Sequence, residues 1–360
     1  LDSKIFNGTK KEMVRHYIKQ ILIDGTIGFG MRLPSENELV KKFQVSRQTI
    51  RQAFSDLANE GLIYKQQGKG TFSKYRKNAR QKQAIAVITT YISEFVFPGI
   101  VSGIEDVLSD KGYMMLLANT NNSKEKEAEY LRNVMEHNVV GVIIEPSKSA
   151  QGNINLQIFN EMSKKGIKFV FINAYYPDFD SSYIVMDDQK GAYIVVEHLL
   201  QRGHRRIACV YKTDDRQGVD RKSGYLQALD SYGVEIDNSL IGEYDTAGMY
   251  LFPYMFAQSV LRSDNPPTAF TCYNDQSALM VIQAIKDSGL RFPEDVSVVG
   301  YDDSIEVLSQ DIGITTIKHP KRDMGVQGAR FIIDMIEGRM KRPQYVYKPD
   351  LIVRDSCRNL

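Results

Sequence analysis

The sequence predicts two parts of different build: an α+β head within residues 1–73 and an α/β body from residue 84 onward, made of two doubly wound parallel-sheet lobes. Three observations carry this. The chain has 360 residues, 42% apolar and 25% charged, which suffices for two or three ordinary domains with at least one full core. Its charge is divided: residues 1–83 hold 17 Lys or Arg against 7 Asp or Glu, net +10, while the other 277 hold 29 against 37, net −8. Finally, the apolar pattern changes after residue 83 from helical spacing to short β-rich runs alternating with helix-length segments. A basic head suits a polyanion; an acidic body repels one and suits small ligands or protein contacts.

In the head, Val14, Tyr17, Ile18, Ile21 and Leu22 fall at i, i+3, i+4, i+7 and i+8, one face of a helix from Lys10 that ends by Gly25. Ser35 and Glu38 form a capping box for a second helix with Leu39 and Phe43 inward. Ser46 caps a third, whose apolar stripe is Ile50, Ala53, Phe54 and Leu57 and whose first turns carry Arg47, Gln48 and Arg51 on the other side. Leu62-Ile63-Tyr64 reads as a strand, Gln67-Gly68-Lys69-Gly70 as a turn and Thr71-Phe72 as the returning strand. Helix-turn-helix plus hairpin is a winged helix. A helix fits the major groove, where Arg47 or Arg51 can donate twice to guanine and Gln48 can read adenine or hold phosphate. Glycines at the wing tip let its backbone approach DNA closely, with Gln67 and Lys69 as donors.

The runs Gly30-Met31-Arg32-Leu33-Pro34-Ser35-Glu36, Val45-Ser46-Arg47-Gln48-Thr49-Ile50-Arg51-Gln52-Ala53, Glu60-Gly61-Leu62-Ile63 and Gln67-Gly68-Lys69-Gly70-Thr71-Phe72 resemble the N-terminal domain of GntR-family regulators over nearly its whole length. The resemblance implies operator contacts from Glu36, Arg47, Arg51, Gln67 and Gly68, with Arg32 on phosphate. Ser46, Gln48, Thr49 and Lys69 complete the expected DNA-binding set. Asn37, at the start of the second helix, departs from the charged residue many relatives carry.

Residues 74–83 are almost without apolar content and read as a basic linker. Beyond them Ile85–Ile88, Met114–Leu117, Val139–Ile144 and Phe169–Ile172 are apolar on both faces, as strands of a covered parallel sheet are, and Ile207–Val210, Thr268–Cys272 and Val296–Gly300 follow. Two strand clusters in this length suggest two lobes, with ligand sites beyond the carboxyl ends of strands. There lie Tyr91, Phe97, Glu145, Lys148, Asn173, Asp188, Lys212, Arg221, Asn274, Asp275 and His319. Carboxylates and a guanidinium can each engage neighbouring hydroxyls, and an aromatic ring can cover a sugar's apolar face, so a sugar cleft is expected. Taken singly, a strand-end Asp or Asn reads better as a helix cap or loop tie than as a ligand contact, and His319 reads as readily as a loop residue. Only Arg221 and Asp275 favour ligand binding on their own.

The body segments Leu199-Leu200-Gln201-Arg202-Gly203-His204-Arg205-Arg206-Ile207, Arg221-Lys222-Ser223-Gly224-Tyr225, Cys272-Tyr273-Asn274-Asp275-Gln276-Ser277-Ala278 and Val298-Val299-Gly300-Tyr301-Asp302-Asp303 resemble the effector domain of LacI/GalR regulators, itself similar to periplasmic sugar-binding proteins. That implies sugar contacts from Arg221 and Asp275, and lobes of about 84–186 with 318–342 and 187–317 with 343–360, crossing near Asp187, Thr316 and Arg342. Relatives usually carry Gln-Pro where this chain has His319-Pro320, so His319 is expected to supply that polar group. The pairing of the two domains, with Thr89-Thr90-Tyr91-Ile92-Ser93 and Glu145-Pro146-Ser147-Lys148, resembles the arabinose-responsive branch of such regulators. A homodimeric repressor released from double-stranded operator DNA by L-arabinose is the implied function. Another sugar or sugar phosphate, and activation or corepression, use the same residues.

An enzyme is disfavoured: there is no P-loop, no G-x-G-x-x-G after the first body strand and no metal-ligand spacing, so no cofactor is expected. No stretch approaches a membrane span, and Leu1-Asp2-Ser3-Lys4 opens no apolar signal region. Cys209, Cys272 and Cys357 lie far apart, as reduced thiols do, and a cytoplasmic location is expected.

Overall fold

The computed structural model describes residues 9–75, 83–94, 96–304 and 313–360; most of the expected linker, residues 76–82, lies outside them. Two compact units divide the chain, Leu1–Lys82 and Gln83–Leu360.

In the first unit, α1 (Lys10–Ile23) starts at a Thr9/Glu12 capping box and α2 (Glu36–Phe43) at the Ser35/Glu38 box. Gln44, at φ 50°, turns the chain into α3 (Arg47–Asn59), which Ser46 caps through the Thr49 N–H at 3.1 Å. Val14, Ile18, Leu22, Leu39, Ile50 and Leu57 are buried together; each such side chain contributes roughly 1.5–3 kcal/mol by leaving water. The antiparallel hairpin β1 (Ile63–Gln66) and β2 (Gly70–Ser73) is the wing. Residues beside Arg32 add to its edge: Leu33 N–H donates to Thr71 O at 2.9 Å and Ser73 N–H to Met31 O at 2.9 Å.

The second unit holds two parallel sheets. The first runs β13-β7-β6-β5-β3-β4 and comprises β3 (Ala84–Thr89), β4 (Met114–Asn119), β5 (Val139–Ile144), β6 (Lys168–Ile172), β7 (Ser182–Met186) and β13 (Gln344–Tyr347). Its helices are α4 (Phe97–Asp110), α5 (Lys124–Glu136), α6 (Leu156–Lys164) and α11 (Lys321–Ile336). The second sheet, β11-β10-β8-β9, comprises β8 (Ile207–Lys212), β9 (Ile241–Tyr244), β10 (Ala269–Cys272) and β11 (Ser297–Val299). Around it pack α7 (Asp188–Gln201), α8 (Arg216–Ser231), α9 (Phe252–Leu261) and α10 (Asp275–Asp287). A short antiparallel pair, β12 (Thr316–Ile317) with β14 (Leu351–Ile352), joins the returning segments.

Two expectations change. β13 pairs with β7 in the first sheet, so that lobe keeps the chain to Tyr347 and the third crossing lies beyond Arg342. β4 is an edge strand with Met114, Leu116 and Leu117 exposed; its apolar run does not mean cover on both faces. Within the first lobe α4 and α11 touch backbone to backbone at Gly103 and Gly325: a Cβ on Gly103 would sit 2.2 Å from Arg322 O, and one on Gly325 2.1 Å from Ile100 O. In the second lobe Cys209 and Cys272 lie on neighbouring strands β8 and β10, both buried. Burial pushes both thiols well above their ordinary pKa.

Candidate functional site

On the head, Ser46, Arg47, Gln48 and Arg51 are exposed along the first turns of α3, and Gln67, Gly68 and Lys69 form the exposed wing tip, with Gly68 at φ 75°. Lys69 N–H closes that turn on Gln66 O at 3.0 Å. Glu36 accepts from Arg51 Nε at 2.9 Å, with Lys65 at 3.8 Å, so it aims a guanidinium. Ser46 and Thr49 hydroxyls bond each other at 2.8 Å, and Arg32 packs over Gly70 of the wing. Three basic residues of α1 are neutralised: Lys11 pairs with Asp56, and Arg15 and Lys19 with Glu60. Asp56 lies nine residues beyond Arg47, half a turn round the helix, so these pairs sit behind the exposed Arg47 face. Arg47 and Lys69 have no ion pair among the described residues.

In the body, the carboxyl ends of both sheets enclose a cavity of about 60 Å³. Tyr91, Phe97, Glu145, Asn173, Asp188, Lys212, Arg221, Asn274 and His319 all line it, as do Asp215, Gln217, Tyr244, Met249, Tyr273 and Asp302. Tyr91 and Phe97 form an aromatic wall, ring centroids 6.3 Å apart. Arg221 stands at the centre: its Nε bonds Asp188 at 2.8 Å, a terminal nitrogen lies 3.6 Å from Asp302, another bonds Tyr273 O, and its guanidinium lies 3.5 Å from the Tyr301 ring centroid. Burial opposes its charge, but Asp188 and Asp302 outweigh that and hold it protonated. Lys212 is likewise kept charged against burial by Asp215 and Asp214. Burial raises Asp188 to about 6 and Glu145 to about 7.

Two expected ligand contacts lie elsewhere. Asp275 is absent from the cavity wall: its carboxylate accepts from Ser304 N–H at 2.7 Å and Thr316 Oγ1 at 2.8 Å, tying α10 to the crossing strand, and burial raises it to about 7. Lys148, at φ 43°, also stands outside; its backbone N–H bonds Asn122 Oδ1 at 2.6 Å and its side chain borders a surface hollow with Lys124 and Glu125. Asn274 lines the cavity while its Oδ1 caps α10 through Ser277 N–H at 2.9 Å, so the cap reading and the lining reading both hold. Among the described residues no His, Cys, Asp or Glu cluster could hold a metal, and no helix is long and apolar enough to cross a membrane.

Residues 10–72 match the model of bacterial regulatory proteins of the gntR family, and residues 196–357 that of a periplasmic binding protein-like domain. An arabinose metabolism transcriptional repressor of Geobacillus stearothermophilus is 41% identical over 345 residues, covering 94% of this chain and 95% of that one. One from Halalkalibacterium halodurans is 37% identical, covering 97% and 96%. The chain belongs to this repressor family. As an arabinose metabolism transcriptional repressor family member it is a DNA-binding regulator and not an enzyme. Its body also matches the crystal structure of a LacI family regulator from Enterococcus faecium with bound ribose, at 26% identity and TM-score 0.66, covering 77% of this chain and 99% of that one.

In this family member the lobes are also tied directly to each other at the cavity mouth. Asn122 of the first lobe donates to Asp215 Oδ1 at 3.0 Å and Thr246 Oγ1 at 2.7 Å in the second. Arg216 N–H donates to Ser149 Oγ at 2.9 Å and Ala150 N–H to Asp214 O at 3.1 Å. Asn122 and Lys148, both at positive φ, hold the two loops in register for this clasp. No signal in the sequence singles out Asn122, whose Oδ1 accepts within its own lobe while its Nδ2 finds partners only once the lobes close.

Proposed function

We propose that this repressor binds L-arabinose in the cavity between its body lobes and leaves its operator when it does. The supporting observation is the Arg221 centre, a guanidinium already matched by Asp188 and Asp302 and set beside an aromatic wall. Such a site offers paired donors and acceptors to hydroxyls without an excess of positive charge. Glu145, Asp188, Asp215 and Asp302 face only Lys212 and Arg221 in the cavity, which favours a neutral sugar over a sugar phosphate. The pentose identity follows the relatives named for arabinose metabolism, carried to this chain as part of the reading.

A homodimer built through the body would set two α3 helices one DNA turn apart, about 34 Å, on a palindromic site. The sugar favours closed lobes, and closed lobes in the dimer misplace the heads, so sugar and operator oppose each other by roughly 1–3 kcal/mol. Fluorescence anisotropy of an operator fragment at fixed salt tests this, with L-arabinose against D-xylose, D-galactose and D-ribose. Weakening by L-arabinose alone is expected. No response to any sugar overturns the effector, and tightening by L-arabinose reverses the sign of regulation.

A further inference from the structure

Asn173 stands between Glu145 and His319. Its Nδ2 donates to Glu145 Oε1 at 3.2 Å, and its Oδ1 lies 3.0 Å from His319 Nε2. Glu145 decides which way round the amide sits. Thr90 N–H, at 3.3 Å, and the Thr90 hydroxyl donate to Oε2, while Gln217 Nε2 donates to Oε1 at 3.4 Å, and at a pH above its raised pKa of about 7 the carboxylate accepts at each contact. A reversed amide would set oxygen against oxygen there. With Asn173 Oδ1 the acceptor, the proton of a neutral imidazole must be on Nε2. Burial keeps His319 neutral, with Lys321 and Arg221 acting in the same direction. Nδ1 is then a bare lone pair, buried and without a partner among the described residues; Gln217 Oε1 is in the same condition. Both residues line the cavity.

We infer that Asn173 is a positioning residue which fixes the Nε2–H tautomer of His319, making His319 Nδ1 an acceptor that requires a hydroxyl donor from the effector. This rests on the reading of the cavity as a neutral-sugar site. It separates two roles: His319 meets the ligand, and Asn173 acts through His319. A ligand that leaves this buried acceptor unpaired bears its full desolvation penalty, so the contact discriminates by what the sugar can donate there and not by size alone.

Two measurements on the full chain test it. In ¹⁵N-labelled protein without sugar, the His319 resonances, assigned by their loss in His319→Gln, should show a protonated Nε2 and an unprotonated Nδ1. Asn173→Leu, which offers Nε2 no acceptor, should yield a mixture of tautomers. A protonated Nδ1 in the parent protein, or a tautomer indifferent to Asn173→Leu, overturns the inference. In calorimetric titrations with L-arabinose and its deoxy and deoxyfluoro analogues, one position should lose at least tenfold in affinity with either replacement, because fluorine cannot donate. That fluorine penalty should shrink in Asn173→Leu, where the imidazole is free to present Nδ1–H. Fluorine tolerated at every position overturns it too. Failure of L-arabinose itself to bind would remove the proposed effector, and the tautomer measurement would still decide the role of Asn173.

Discussion

Asn122 Nδ2 reaches Asp215 Oδ1 at 3.0 Å across the gap between the lobes, and the same nitrogen reaches Thr246 at 2.7 Å. Asp215 also lines the cavity and holds Lys212, so closure of the lobes and organisation of the ligand's surroundings share one carboxylate.

Removing the Asn122 side chain should therefore weaken sugar binding without touching sugar. The two hydrogen bonds across the gap, at roughly 0.5–1.5 kcal/mol each, correspond to a loss of about fivefold to 150-fold, and the bond from Lys148 N–H within the first lobe goes with them. Asn122→Gly is the informative change because glycine keeps the φ of 55° without strain. Calorimetry against L-arabinose measures it; unchanged affinity would mean that the clasp contributes nothing to closure.

Arg221 should be needed for folding as well as for ligand. Arg221→Ala strands Asp188 and Asp302 in a buried site, and breaking buried pairs in this way costs about 3–5 kcal/mol. Urea denaturation of the sugar-free protein should show that loss. A variant as stable as the parent but blind to sugar would assign Arg221 to the ligand alone.

On the head, position in the charge pattern should set the effect. Lys69→Ala should reduce the salt dependence of operator binding by the equivalent of about one phosphate contact, and Arg47→Ala should cost about 1–3 kcal/mol and relax base preference. Lys11→Ala, which breaks a pair with Asp56 behind α3, should leave both slope and specificity unchanged. Anisotropy titrations between low and moderate salt separate the three.

Acid stability should depend on His204. Its ring is buried, held by Thr268 Oγ1 at 2.9 Å and Arg358 O at 3.3 Å, and burial lowers its pKa to about 4. The unfolded chain, near 6.5, then binds more protons than the native one between pH 6.5 and 4. Stability attributable to this residue is thus intact above pH 6.5 and falls as pH drops through that window, at a limiting slope of about 1.4 kcal/mol per pH unit for one proton. Melting curves of the parent should decline more steeply over this range than those of His204→Gln.

Much of this was legible beforehand, for reasons that differ by region. The head is written in local chemistry: the apolar stripe of α3, the Ser35/Glu38 capping box and a glycine wing tip each act within a few residues, and all lie where their spacing places them, while the Thr9/Glu12 box went unread. Nine of the eleven residues expected at the effector site line the cavity, because the strand-end rule depends only on where β runs stop. Direction was not legible. Asp275 and Asp302 both follow apolar strands, yet Asp302 faces Arg221 while Asp275 turns toward Thr316. The one trace of this is Gly300, where a Cβ would lie 2.1 Å from Asp275 Oδ1. β7 and β13 went unread because Ser182–Met186 and Gln344–Tyr347 mix polar and apolar residues, and exposed Tyr345 and Val346 at the sheet edge give no burial signal.

The thiols of Cys209 and Cys272 sit back to back with the core of the second lobe, closed to reagent as long as β8 and β10 stay paired. Nature has thereby placed a pair of silent clocks in one lobe only. A thiol-specific reagent added for a fixed pulse, with the reaction of the half-buried Cys357 set apart by peptide mapping, would register how often that lobe opens far enough to admit it, and comparison of the count with and without sugar would read lobe breathing with no residue changed.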